Sequence, residues 1–200
     1  MLAWPFSHTK KRRLENNLRA NRLESSIFYF PEGPILDWGC SKGETTKELR
    51  GYFPTRDIIG IDIDPEIIKY ARDNNQIEGI KYHCMDGCNI KQELPGPYAA
   101  IFAMNNLMQG LLCDIISQEE YSQIIRDMRD CLVPGGNLVF TRGNIIWIYD
   151  SREKRMKFST IRDRPDVKGL ENLGIDDRTK VEKNKEVEAI RDLIESGALR

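Results

Sequence analysis

A chain of 200 residues, 40% of them hydrophobic and 30% charged, has the material for one domain with a sizeable core, which excludes both a large multidomain assembly and wholesale disorder. Thirty Lys and Arg against 31 Asp and Glu leave a net charge of −1, so no global field draws the chain to nucleic acid or to an anionic membrane, and any such attraction must be local. No apolar run reaches membrane-crossing length, the N-terminus lacks an apolar core of signal-peptide type, and five cysteines show no paired spacing; a cytoplasmic protein with reduced thiols and no membrane partner is expected.

Residues 1–34 read as a basic helix and arm. Within them, residues 10–24 place Leu14, Leu18 and Leu23 on one narrow face of a helix that also carries Lys10, Lys11, Arg12, Arg13, Arg19 and Arg22. Charge runs of this kind are most often solvated faces. From Ile35 the pattern changes to short apolar runs of strand character (ILDW, DIIGID, IKYHC, YAAIFAM, NLVFT) separated by helical signals. That rhythm predicts a parallel α/β sheet over residues 35–162.

The helix signals are local and physical. ETTKELR follows the first strand; Asp64-Pro65 sets an N-cap aspartate before a proline suited to the first helical position, ahead of Ile67, Ile68 and Ala71. Ser117 with Glu120 forms a capping box for a helix whose apolar face is Ile124, Ile125, Met128, Cys131 and Leu132, with Pro134-Gly135-Gly136 as its expected stop. Residues 145–150 and 155–161, joined by Ser-Arg-Glu-Lys, predict an antiparallel edge hairpin with a basic tip. Residues 163–200 form a charged tail in which only Val187, Ile190 and Ile194 have helical periodicity, ending near Gly197.

The sharpest signal is Asp37-Trp38-Gly39-Cys40-Ser41-Lys42-Gly43, between the first strand and the first helix. At that point of an open parallel sheet a crevice opens in which ligands bind. Glycines allow close backbone approach, and the helix start offers unpaired N–H groups. The dinucleotide pattern G-x-G-x-x-G is absent, and a carboxylate at Asp37 would oppose a diphosphate while favouring a cationic ligand. The bland alternatives are a helix-entry cap for Asp37, an Asx turn for Asp86 with Gly87, and a space-filling role for Cys40.

Asp37-x-Gly39-x-x-x-Gly43 resembles the first motif of class I S-adenosylmethionine-dependent methyltransferases, with Ser41 where that family usually has a third glycine. Gly60-Ile61-Asp62-Ile63-Asp64 resembles the second motif, and Cys84-Met85-Asp86-Gly87 the third; Leu132-Val133-Pro134-Gly135-Gly136 resembles the turn into the fifth strand. The resemblance covers about residues 35 to 142 and implies a Rossmann-like doubly wound parallel sheet of order 3-2-1-4-5, helices on both faces, and S-adenosylmethionine as cofactor. It implies a binding set of Asp37, Gly39, Cys40, Ser41, Gly43, Asp62, Ile63, Met85, Asp86, Gly87 and Asn105, in which Asp62 takes the ribose hydroxyls, Asp86 meets the adenine amino group and Met85 packs on the ring. The same segments resemble, more narrowly, the cofactor domain of chemotaxis receptor methyltransferases. The stretch before Ile35 is too short for that group's N-terminal helical domain, so receptor glutamate methylation is not expected.

Two positions depart from the family. Tyr98 is followed by Ala99 where the fourth strand commonly has an aspartate, and Asn105-Asn106-Leu107 lacks the element used in methylating base amines. The expected activity is methyl transfer to an acceptor, a small molecule ahead of nucleic acid or protein, with a non-catalytic S-adenosylmethionine-binding protein as the alternative. No catalytic base is assigned from the sequence. No metal is expected, since Cys84 and Cys88 beside His83 have no second pair at zinc-site spacing.

Overall fold

The computed structural model describes residues 30–104, 107, 115–142, 145–160, 192, 195 and 197. Its chain alternates β1 (Ile35–Trp38), α1 (Glu44–Tyr52), β2 (Ile58–Asp62), α2 (Pro65–Asn75), β3 (Ile80–Cys84), a 3-10 turn (Gly87–Asn89), α3 (Ile90–Glu93), β4 (Tyr98–Met104), α4 (Gln118–Asp130) and β5 (Leu132–Arg142). It ends in the hairpin of β6 (Ile145–Asp150) and β7 (Arg155–Thr160). The seven strands form one sheet in the order β3-β2-β1-β4-β5-β6-β7. The first five strands run parallel, while β6 pairs antiparallel with β5, and β7 with β6. The parallel order and edge hairpin are those expected from the sequence.

Burial follows position in the sheet. All seven residues of the central strand β4 are buried, as a strand covered on both faces requires. At the edge, β3 alternates: Ile80 and Tyr82 are buried, whereas Lys81 and His83 are exposed. One face packs Leu49 of α1 and Ile68 and Ala71 of α2 against Ile35, Ile58, Ile80, Tyr82 and Phe102. The other packs Tyr121, Ile124, Ile125 and Met128 of α4 against Leu36, Ile61, Ile101, Leu138 and Phe140. Each fully buried aliphatic side chain contributes about 1.5–3 kcal/mol of transfer free energy.

The caps lie where the sequence signals put them. Asp64 Oδ1 accepts from the N–H groups of Glu66 at 2.9 Å and Ile67 at 3.3 Å, with Pro65 opening α2. Ser117 and Glu120 make a reciprocal capping box at the start of α4. The end of that helix differs from expectation. It stops at Asp130, and Leu132 already belongs to β5. Pro134-Gly135-Gly136 is a bulge inside the strand, because pairing passes from Tyr98↔Leu132 directly to Ala100↔Asn137. A Cβ at Gly136 would lie 3.0 Å from the carbonyl oxygens of Tyr98 and Val133, so the close backbone crossing needs glycine. The 3-10 turn and α3 were not foreseen; four residues are too few to show helical periodicity.

The hairpin fixes a direction. Since Asn137 pairs with Asp150 and Arg142 with Ile145, the β6–β7 turn lies at the amino edge of the parallel strands. There Asp150 Oδ1 accepts from the N–H groups of Arg152 and Glu153, and Lys154 takes a positive φ of 50°. The expected helix over residues 10–24, the candidate Asn105 and most of residues 163–200 lie outside the described residues. Within that tail Asp192 and Glu195 are helical, and the Gly197 carbonyl accepts from Arg129 at 3.2 Å.

Candidate functional site

The carboxyl ends of β1, β2 and β3 are laced together by backbone groups. The N–H of Cys40 donates to Ile61 O at 2.8 Å, and that of Met85 to Asp62 O at 3.0 Å. The Ser41 N–H donates to Asp62 Oδ2 at 2.9 Å, and the Asp64 N–H to Asp62 Oδ1 at 3.2 Å. Asp62 therefore joins the glycine turn to the end of its own strand. Ser41, Asp62 and Met85, from three separate segments of the sequence, converge at one edge.

The turn is left-handed at three positions: Gly39 at φ 69°, Ser41 at 52° and Gly43 at 81°. A side chain in this region costs roughly 1–2 kcal/mol, so a third glycine would be the unstrained choice at 41. Gly43 then leads directly into α1 as its N-cap residue.

The structure puts the remaining candidates in distinct surroundings. Asp37 is only 1% exposed; its Oδ2 accepts from the Thr46 hydroxyl of α1 at 2.7 Å. Its carboxylate thus lies beneath the turn and does not line the surface of a notch. Cys40 is buried under the same turn. Ile63, directly after Asp62, leaves 46% of its surface exposed, while Met85 beside it is buried. Asp86 is exposed, and its Oδ1 accepts from the Cys88 N–H at 2.9 Å, capping the 3-10 turn as an Asx turn does. A Cβ at Gly87 would come within 2.2 Å of Trp38 Nε1, which puts the indole under this edge.

Of the two departures from the family pattern, the fold locates the one at Ala99; Asn105 and Asn106 lie outside the described residues. Ala99 sits at the amino end of β4, its N–H bonded to Pro34 O at 2.8 Å, at the opposite end of the strand from Met104. An acid missing there is remote from the carboxyl edge. His83 occupies the exposed side of β3; partial burial, then the cations of Arg72 and Lys81, lower its pKa. Sequence reasoning missed Thr46, Asn75 and Tyr82, which brace the turn from below. The only available signal was their polarity on elements otherwise packed inward.

A methyltransferase domain family model matches residues 35–136. The chain is 27% identical over 137 residues to trans-aconitate 2-methyltransferase of Sinorhizobium fredii, a match covering 68% of this chain and 49% of that protein. It is 42% identical over 52 residues to malonyl-[acyl-carrier protein] O-methyltransferase of Acetivibrio thermocellus, covering 26% of this chain and 18% of that one. Among solved structures, an S-adenosylmethionine-dependent methyltransferase from Anabaena variabilis superposes with a TM-score of 0.50 at 24% identity, covering 65% of this chain and 50% of the other. The chain spans about half the length of the trans-aconitate methyltransferases it matches.

Proposed function

This chain belongs to the methyltransferase-domain family and has the class I S-adenosylmethionine-dependent methyltransferase fold, and from that premise we propose that it transfers a methyl group from S-adenosylmethionine to a small-molecule acceptor. The observation that carries the reading is the convergence of the glycine turn, Asp62 and Met85 at one sheet edge. The donor set suits the ligand. Each Asp62 oxygen accepts one backbone N–H, whereas a carboxylate has about four lone-pair sites, so capacity remains for two ribose hydroxyls. Exposed Ile63 supplies apolar surface for a purine ring, and Met85, buried in the core at the neighbouring strand end, backs that edge. Asp86, exposed beside them, has acceptor capacity for an exocyclic amine.

When bound, S-adenosylmethionine supplies a methyl group on a sulfonium that loses its charge as the group departs. The chain's part is alignment and partial exclusion of water. In this reading the backbone of Gly39 to Gly43 faces the amino-acid portion of the donor, Asp62 fixes the ribose, and Ile63, Met85 and Asp86 hold the base. Gly87 and Cys40 keep the floor of the site compact, and Asn105, next in sequence after β4, completes the proposed set. The name of the relative matched over 137 residues, trans-aconitate 2-methyltransferase, supports a small-molecule acceptor; the shorter matches include a carrier-protein and a tRNA methyltransferase.

Calorimetry with S-adenosylmethionine and S-adenosylhomocysteine tests the donor site; micromolar binding is expected, and indifference to both sinks the proposal. Radiolabelled methyl transfer into a cell extract, fractionated by size, then tests the reaction. Label in a small-molecule fraction supports the acceptor class, label in RNA or protein replaces it, and no label with intact binding points to the non-catalytic alternative.

A further inference from the structure

Beneath the glycine turn lies a polar layer to which no role has been given. Tyr82, in the middle of β3 and 5% exposed, packs on the face covered by α1 and α2. The single proton of its hydroxyl is shared between Gly43 O at 3.2 Å and Asn75 O at 3.3 Å, and Asn75 Nδ2 donates to Lys42 O at 2.8 Å. Two successive carbonyls of the turn are therefore held from below, one by Tyr82 and one by the last residue of α2. Thr46, which donates to Asp37, lies beside the phenol. Burial, with the Cys40 and Asp37 groups nearby, pushes the phenol far above its ordinary pKa, so it remains a donor at any working pH.

The ring fills the space under the glycines. A Cβ at Gly43 would lie 2.4 Å from Tyr82 Oη, and one at Gly60 would lie 2.8 Å from Tyr82 Cδ1. Real Cβ atoms do not approach so closely, and a packed ring in a dense interior has nowhere to move. The C=O and N–H of a planar trans peptide point in opposite directions. The Gly43 carbonyl accepts the first hydrogen bond of α1, from Lys47 N–H at 3.0 Å, and the Tyr82 hydroxyl adds a second hold at 3.2 Å; together they aim the Glu44 N–H outward from the start of α1, where the first amides of a helix have no internal partner.

We propose that Tyr82 is a positioning residue for the donor-binding turn: its ring imposes glycine at 43 and 60, and its hydroxyl orients the peptide units that face the amino-acid end of S-adenosylmethionine. The proposal rests on the reading of this edge as the donor site and adds a residue that does not itself touch the ligand. Tyr82→Phe keeps the ring and removes the hydroxyl. Tyr82→Val removes the nearest obstruction to a Cβ at position 60 and leaves Cys40 Sγ, 3.0 Å from it, as the remaining one.

The test uses the full chain with two readouts, S-adenosylhomocysteine affinity by calorimetry and thermal unfolding without ligand. Tyr82→Phe is expected to weaken binding about tenfold while the free protein still melts within a few degrees of the parent. A purely structural hydroxyl would lower the melting temperature and leave the affinity of the folded protein unchanged, and that result overturns the positioning role. Gly60→Ala is expected to lower the melting temperature at least about twice as much in the parent as in the Tyr82→Val background, the non-additivity of groups in contact. Equal losses in both backgrounds would mean that the ring does not dictate the glycine. If the parent binds no S-adenosylhomocysteine, the donor reading and the orienting role fail together, while the Gly60 and Tyr82 cycle still decides the ring's part by unfolding alone.

Discussion

The amide of Ser41 donates to the carboxylate of Asp62 at 2.9 Å, across a gap of 21 residues in sequence. One side chain thereby closes the glycine turn against the end of the neighbouring strand and stays available to a ligand on its remaining lone pairs. Removing it should have two effects. Asp62→Ala is expected to weaken S-adenosylmethionine binding tenfold or more and to cost about 1–3 kcal/mol of stability, the range for leaving partly buried donors unsatisfied. Asp62→Asn, which keeps one acceptor oxygen, should lose less stability than Asp62→Ala. Calorimetry and urea unfolding measure the two effects separately, and an Asp62→Ala protein with parental affinity would remove Asp62 from the site.

Ser41 holds φ 52°, a region closed to β-branched side chains except at high cost. Ser41→Val should therefore destabilise by about 1–2 kcal/mol and disturb donor binding. Ser41→Gly should fold as well as the parent, because relief of strain offsets the added freedom of the unfolded chain. A Ser41→Val protein with parental melting temperature and affinity would show that the turn does not depend on this geometry.

Thr46 supplies a hydrogen bond to Asp37, a carboxylate almost wholly removed from water. Thr46→Val retains the shape of the side chain and deletes the donor. The expected loss is about 1.5–3 kcal/mol, the range for hydrogen bonds to charged groups, read from the urea midpoint at pH 7. Thr46→Ser should recover most of it. An unchanged midpoint in Thr46→Val would mean that the carboxylate's other contacts suffice.

The capping box of α4 gives a pH dependence of known sign. The backbone N–H and then the hydroxyl of Ser117 hold the Glu120 carboxyl below its ordinary value. Because the folded pKa is depressed, the contribution is full above the ordinary carboxylate range and is lost as pH falls through the folded value. Glu120→Ala should lower the urea midpoint at pH 7, and its difference from the parent should shrink towards pH 3. A difference that is constant over this range would argue against the carboxylate's part in the cap.

The sequence was legible where local chemistry sets the outcome. Asp64-Pro65 and the Ser117–Glu120 pair announced their helices, and the apolar runs from Ile35 to Met104 announced the strands that became β1 to β4. Pro134-Gly135-Gly136 misled because the same residues that end a helix also permit a bulge, and only the pairing of β5 with β4 separates the two. At the site, Ser41, Asp62 and Met85 are named by the family motifs that carry them. Their hydrogen bonds are not, since those depend on the register of three strands. Alternation along β1 turns Asp37 towards Thr46 of α1, a partner that no linear pattern shows. Tyr82 read as an ordinary strand aromatic, because nothing in a linear pattern shows that its ring lies beneath two distant glycines.

The hairpin turn carries exposed Arg152 and Lys154 at the amino edge of the sheet. The six residues of β6 extend over about 20 Å, so these cations and the laced strand ends stand at opposite poles of the domain. Arg152 is paired with Asp150 at 3.6 Å, so a substitution at that turn should be felt in the pairing of the hairpin and leave nucleoside affinity at the far pole untouched.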